Sequence, residues 1–136
     1  MTLWRFRQYV TEGNQRPFVE WLRGLPVELQ ARFWQVMAQL AAEEDWSRLA
    51  EYKLLSGHDV PLSEIRYLVV RRERRRNVKV RVRPLGYRRD DQGDFVLLGG
   101  VTKRHGGQLI EPTDGLEKAK QRLNELLRQK GSVDDL

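Results

Sequence analysis

The chain has 136 residues, of which 25 are Lys or Arg and 19 are Asp or Glu, giving a formal charge of +6; this length fits one domain. Hydrophobic residues make up 40% and include four Trp, four Tyr and four Phe, enough for a packed core rather than a disordered chain. With no cysteine and two histidines, composition excludes disulfides, thiol chemistry and thiolate metal sites and argues against a His-rich metal centre.

No apolar run nears the roughly 20 residues of a membrane-spanning helix, and residues 1–10 lack a secretory apolar core. The expectation is a cytoplasmic protein with no membrane association, no metal and no other cofactor. In chain order, residues 3–10 mix Trp4, Phe6 and Tyr9 with Arg5, Arg7 and Gln8, a near-alternation that predicts a first strand. Gly13-Asn14 marks a turn. Pro17 opens a short helix over PFVEWLRGL with Phe18, Trp21 and Leu22 on one face, stopped at Gly24. Pro26 starts a longer helix over residues 27–44, in which Leu29, Phe33, Val36, Met37 and Leu40 form one buried stripe.

Residues 45–55 read as an irregular link or a short helical turn. Residues 56–59, Ser-Gly-His-Asp, read as a turn in which His58 is structural. Three strands are expected next. Residues 62–71 are rich in β-branched and aromatic side chains, Val78, Val80 and Val82 alternate with Lys79, Arg81 and Arg83, and residues 95–101 are apolar on both faces. Hairpin loops are expected around residues 73–77 and 87–93. Asp114 and Glu117 form a cap signal for a last helix with Leu116, Ala119, Leu123, Leu126 and Leu127 on its apolar side. Gly131 is a plausible stop, and residues 131–136 are expected to fray. The order β-α-α-β-β-β-α predicts one α+β domain over residues 1–136, with the helices on one face of the sheet.

The charge is unevenly placed. Residues 66–104 hold 13 bases and four acids, whereas the rest of the chain is net negative. Such a concentration is the footprint of a polyanion partner, here RNA before DNA. The expected RNA-binding set is Arg71, Arg72, Arg74, Arg75 and Arg76 of the basic loop. Arg81 and Arg83 on the strand that follows and Arg88 in the next loop complete it. Period two sends Val78, Val80 and Val82 inward and Lys79, Arg81 and Arg83 to the other face, where their mutual repulsion would be relieved by a phosphodiester. Lys103-Arg104-His105 leaves the apolar strand before the Gly106-Gly107 turn; histidine is the side chain suited to proton transfer near neutrality.

The segments KLLSGHDVPLSEIR (residues 53–66), VKVRVRP (78–84), FVLLGGVTKR (95–104) and PTDGLEKAKQRLNEL (112–126) resemble, in order and spacing, the RelE/ParE superfamily of type II toxin–antitoxin toxins. The similarity is greatest to the HigB-like, phage Gp49-like branch, with its "L-x-G … L-x-E-[LI]-R" segment, basic strand end and final "A-x-x-R" helix. PFVEWLRGL resembles the helix near that group's N-terminus. The resemblance implies a RelE-like fold: a small antiparallel sheet of about four strands, two N-terminal helices packed on it and a C-terminal helix. It also implies a ribosome-dependent mRNA endonuclease acting in the A site without metal, and a cognate antitoxin, commonly a helix-turn-helix protein.

Carried over by position, the implied catalytic residues are Arg66, which closes the E-I-R segment, Lys79 where relatives place an arginine, and the basic pair Lys103 and Arg104. Ala119 and Arg122 match the final helix. HGGQLIEP has no tyrosine where some members carry a catalytic one, which makes His105 the candidate substitute. Two other readings stand beside it: the same fold as a ParE-like gyrase inhibitor without RNA chemistry, and a non-catalytic nucleic-acid-binding phage or regulatory protein for which the basic strand is only a docking surface.

Overall fold

The computed structural model describes residues 3–55, 60–105 and 110–136. Two expected turns, at residues 56–59 (with His58) and at Gly106-Gly107, lie outside these. The frame is a long antiparallel hairpin of β5 (Arg76–Arg89) and β6 (Asp94–Arg104). The half at the β5–β6 turn lies in the main sheet. There β1 (Arg5–Val10) runs parallel to β6, and β2 (Tyr52–Leu54) and β3 (Ser63–Ile65) continue outward from β5. The other half is flanked by β4 (Tyr67–Glu73) on β5 and by β7 (Ile110–Glu111) on β6.

The helices follow their apolar periodicity. α1 (Pro17–Arg23) and α2 (Val27–Ala41) bury Phe18, Leu22, Leu29, Phe33, Val36, Met37 and Leu40 against one sheet face, with Ile65, Val80, Val82, Phe95 and Leu97 below them. α3 (Gly115–Leu127) covers the opposite face, where Ala119 and Leu123 meet Leu85, Val96, Leu98 and Val101. β6 is thus apolar on both sides because it is covered on both sides. Gly86 marks a register shift in the hairpin, and a methyl group there would collide with the Val96 carbonyl oxygen and the Phe95 ring. Gly115 lets the start of α3 lie directly on Val101 and the Gly100 carbonyl.

The fold class expected from the sequence is corrected on several points. The sheet holds eight strands among the described residues, in the order β2-β3-β5-β6-β1-β8, where β8 is Ser132–Asp135, with β4 and β7 beside it, and it is mixed. It is not a four-stranded antiparallel sheet, and helices cover both faces rather than one. The predicted strand over residues 62–71 divides at Arg66, whose backbone N–H turns aside to the Glu51 carbonyl at 2.8 Å. The link after α2 supplies β2. The expected fraying end forms β8 (Ser132–Asp135), antiparallel to β1. These extra strands are two to seven residues long, and long-range pairing rather than a local period-two pattern creates them.

Candidate nucleic-acid interface

The β4–β5–β6–β7 half of the hairpin has one face under α1 and α2 and the other left open by the described residues. Register decides which side chain goes where. Leu68 of β4, Arg81 of β5, Lys103 of β6 and Ile110 of β7 form one transverse row. Val70 and Lys79 form the next. All six point away from α1 and α2, because their sequence neighbours Val69, Val78, Val80 and Val82 belong to the core under those two helices. Arg83 and Arg72 share the parity of this face. Arg66 joins it from the break between β3 and β4, lining the same cleft as Arg81.

The face therefore gathers Arg66, Arg72, Lys79, Arg81, Arg83 and Lys103, against one acid of the sheet among the described residues, Glu64. That carboxylate is buried and stands 3.9 Å from Arg66 Nη1 and 3.9 Å from Arg83 Nε, too far for a hydrogen bond to either. The side chains of Lys79, Arg81 and Lys103 have no hydrogen-bonded or ion-paired partner among the described residues. Leu68, Val70 and Ile110, exposed by 44%, 59% and 37%, lie between the cations. Charged groups interleaved with exposed aliphatic side chains give a surface that holds a phosphate chain while leaving apolar area for base or sugar contact.

The other expected site residues are placed elsewhere. Arg104 follows Lys103 on the strand and so points to the helix side, where its guanidinium forms a two-pronged ion pair with Glu73, Nη2 to Oε1 at 2.9 Å and Nη1 to Oε2. This hydrogen bonding holds the Glu73 carboxyl below its usual range and raises Arg104. Arg71 bonds the same carboxylate at 3.1 Å and approaches Glu28 at 3.8 Å. Arg74 and Arg75 form the β4–β5 turn, with φ of 47° and 65°. Arg76, paired across from Glu73, lies at the hairpin tip. His105 lines a depression at that tip with Arg71, Glu73, Arg74, Arg76 and Arg104, and its backbone N–H bonds the Lys79 carbonyl at 2.9 Å.

Arg88 is furthest from the open face. It lies at the opposite end of β5, with its guanidinium over Trp4 at 4.8 Å, beside Tyr52 at 5.6 Å and Trp46 at 5.8 Å, and paired with Asp90 at 2.8 Å. Arg122, matched to the final helix, is half-buried and donates to the Leu98 carbonyl at 2.8 Å; burial lowers its pKa. Of the five residues expected to be catalytic, Arg66, Lys79 and Lys103 thus share one face, while Arg104 and His105 do not.

Sequence reasoning missed Arg32 of α2 and Glu51 of the α2–β2 link. Both line the cleft at the edge of the open face, with Ala50, Arg66, Tyr67, Leu68 and Arg81. No sequence signal marks them, since a half-buried cation on the flank of an amphipathic helix looks like any solvated one. Among the described residues no group of three or more His, Asp or Glu is placed to hold a metal ion, and no helix is long and apolar enough to cross a membrane. Comparison with family models, curated proteins and solved structures finds no match to this chain.

Proposed function

We propose that the protein is the toxin of a type II toxin–antitoxin pair and cuts mRNA on the ribosome, with the open sheet face gripping the sugar–phosphate chain. The observation that carries this reading is the meeting of Arg66, Lys79, Arg81 and Lys103, from separate stretches of sequence, on one uncovered face. The resemblance of the ordered segments to RelE/ParE toxins supplies the reaction class.

In that reaction the ribose 2′-oxygen forms a bond to the adjacent phosphorus and the bond to the 5′-oxygen breaks. The products are a 2′,3′-cyclic phosphate and a free 5′-hydroxyl. The transition state is a dianionic phosphorane, and guanidinium groups beside it lower its energy more than that of the singly charged ground state. Arg66 and Arg81 fill this role. The Lys103 ammonium, beside Arg81, donates a proton to the departing 5′-oxygen, and the 2′-hydroxyl proton passes to water. The cognate antitoxin is the expected partner that silences this face.

The experiment is induction of the protein in cells followed by mapping of new RNA 5′ ends. Cuts within translated codons that disappear in Arg81→Gln/Lys103→Gln support the reading. Intact translated messages, or cuts that persist in that variant, reject it.

A second reading is favoured by one observation. Arg104 is tied to Glu73 on the helix side and His105 lies at the tip, so the open face presents no imidazole or phenol among the described residues. A docking surface that binds RNA without cutting it uses the same cations, and salt-dependent binding with no cleavage on ribosomes distinguishes it.

A further inference from the structure

The cleft at the edge of the open face is a second kind of site. Three arginines from three elements line it: Arg32 from α2, Arg66 from the β3–β4 break and Arg81 from β5. Each is held differently. Arg66 Nε donates to the Ala50 carbonyl at 2.9 Å, which fixes the plane of its guanidinium. Arg32 Nη1 donates to Gln35 Oε1 at 3.1 Å. Arg81 has no such tether among the described residues. The rest of the wall is apolar or weakly polar, formed by Ala50, Tyr67 and Leu68, and Glu51 is its one acid. The volume, about 460 Å³, falls within the roughly 300–1,000 Å³ of small-molecule sites.

A bare anion patch has no need of such a wall, and an apolar pocket has no need of three guanidinium groups. Both are satisfied by a ligand with one phosphate and a flat, largely apolar body. Glu51 disfavours a longer phosphate chain by like-charge repulsion and can accept from a hydroxyl or ring N–H. From this we infer that the cleft is a single-nucleotide pocket that takes one ribonucleoside monophosphate unit, its phosphate between Arg32, Arg66 and Arg81 and its base against the exposed side chain of Leu68. The inference rests on the RNA reading above and deepens it, since a strand on the open face would turn one nucleotide over the edge into this cleft. It assigns Arg32 to binding.

The test is calorimetric titration of the full chain with adenosine 3′-monophosphate, guanosine 3′-monophosphate and inorganic phosphate. One-site, saturable nucleotide binding is expected, with inorganic phosphate markedly weaker. Arg32→Gln should weaken nucleotide binding about tenfold, the loss of one charge-assisted hydrogen bond. Leu68→Trp, at an exposed position that does not support the core, should fill the cleft and abolish it. No nucleotide binding, equal affinity for inorganic phosphate, or indifference to Arg32→Gln overturns the inference. Single-stranded RNA binding that depends on Lys79 and Lys103 would survive that failure, whereas nucleotide binding without any RNA binding would sink the interface and leave the pocket.

Discussion

Replacing Lys103 with Gln should make the free protein more stable and its RNA complex weaker. Arg81 and Lys103 are direct cross-strand partners, which puts their Cβ atoms about 5 Å apart and their charges roughly 6 Å apart. Coulomb's law gives ~2.8 kcal/mol of repulsion at an effective dielectric of 20 and ~0.7 kcal/mol in water. Both side chains are half-buried at the solvent boundary, so the screened value is about 1 kcal/mol. For a chain of this size that is a rise of about 4 °C in Tm. Scanning calorimetry at low salt reads the shift, and 1 M NaCl should shrink it as the Debye length falls to about 3 Å. RNA affinity should fall about tenfold with loss of one phosphate contact, and the logarithmic salt slope should drop by about 0.7. A Lys103→Gln protein that is less stable than the parent, or that binds RNA unchanged, would refute the claim that this face is strained by unpaired cations awaiting a polyanion.

Three further predictions concern the frame of the site. Gly86→Ala forces a methyl group onto the Val96 carbonyl and the Phe95 ring, and urea unfolding should show a loss of about 3 kcal/mol. Arg74-Arg75 adopts left-handed backbone at both turn positions. Asn-Gly fits that turn far better, so the double replacement should raise stability by about 1–2 kcal/mol in the same assay. The Glu73 carboxyl is held low by Arg104. A depressed carboxylate contributes stability above its unfolded pKa, and the contribution disappears as pH falls through the lower folded value. The Glu73–Arg104 clasp should therefore persist at pH 5–7 and open only in acid, below the usual glutamate pKa of about 4.3. NMR of the Arg104 side-chain N–H groups follows the opening, and persistence of the same titration in Glu73→Gln would assign it to another group.

The parts of the fold that were legible in the sequence carry a long, regular pattern. The stripe Leu29, Phe33, Val36, Met37 and Leu40 is buried as its 3.6-residue spacing requires, and Val80 and Val82 are buried while Lys79 is exposed, as period two requires. Short strands left no such trace. β2 and β7 hold three and two residues, and β8 is a polar tetrapeptide whose strand character comes from pairing with β1. The single strand read over residues 62–71 failed to show its break because the break is made by a contact with Glu51, which is distant in sequence from Arg66.

The site was half legible for a similar reason. Basic composition found the right third of the chain but not the faces. The alternation that put Lys79, Arg81 and Arg83 together also separates neighbours, so it already required Lys103 and Arg104 to diverge, and grouping them as a pair overlooked this. The same parity places Arg88 away from Arg81, and aromatic rings from β1, β2 and the α2–β2 link then claim it. Arg32 became visible only once α2 was set against the cleft.

Amide chemical-shift mapping with a single-stranded oligoribonucleotide tests the central claim most directly. The account predicts perturbations concentrated at residues 66–72, 79–83 and 101–103 across β4, β5 and β6, with Arg88 and its aromatic neighbours unmoved. Perturbations confined to the Arg88 end, to the α1–α2 surface, or absent at micromolar RNA would contradict it.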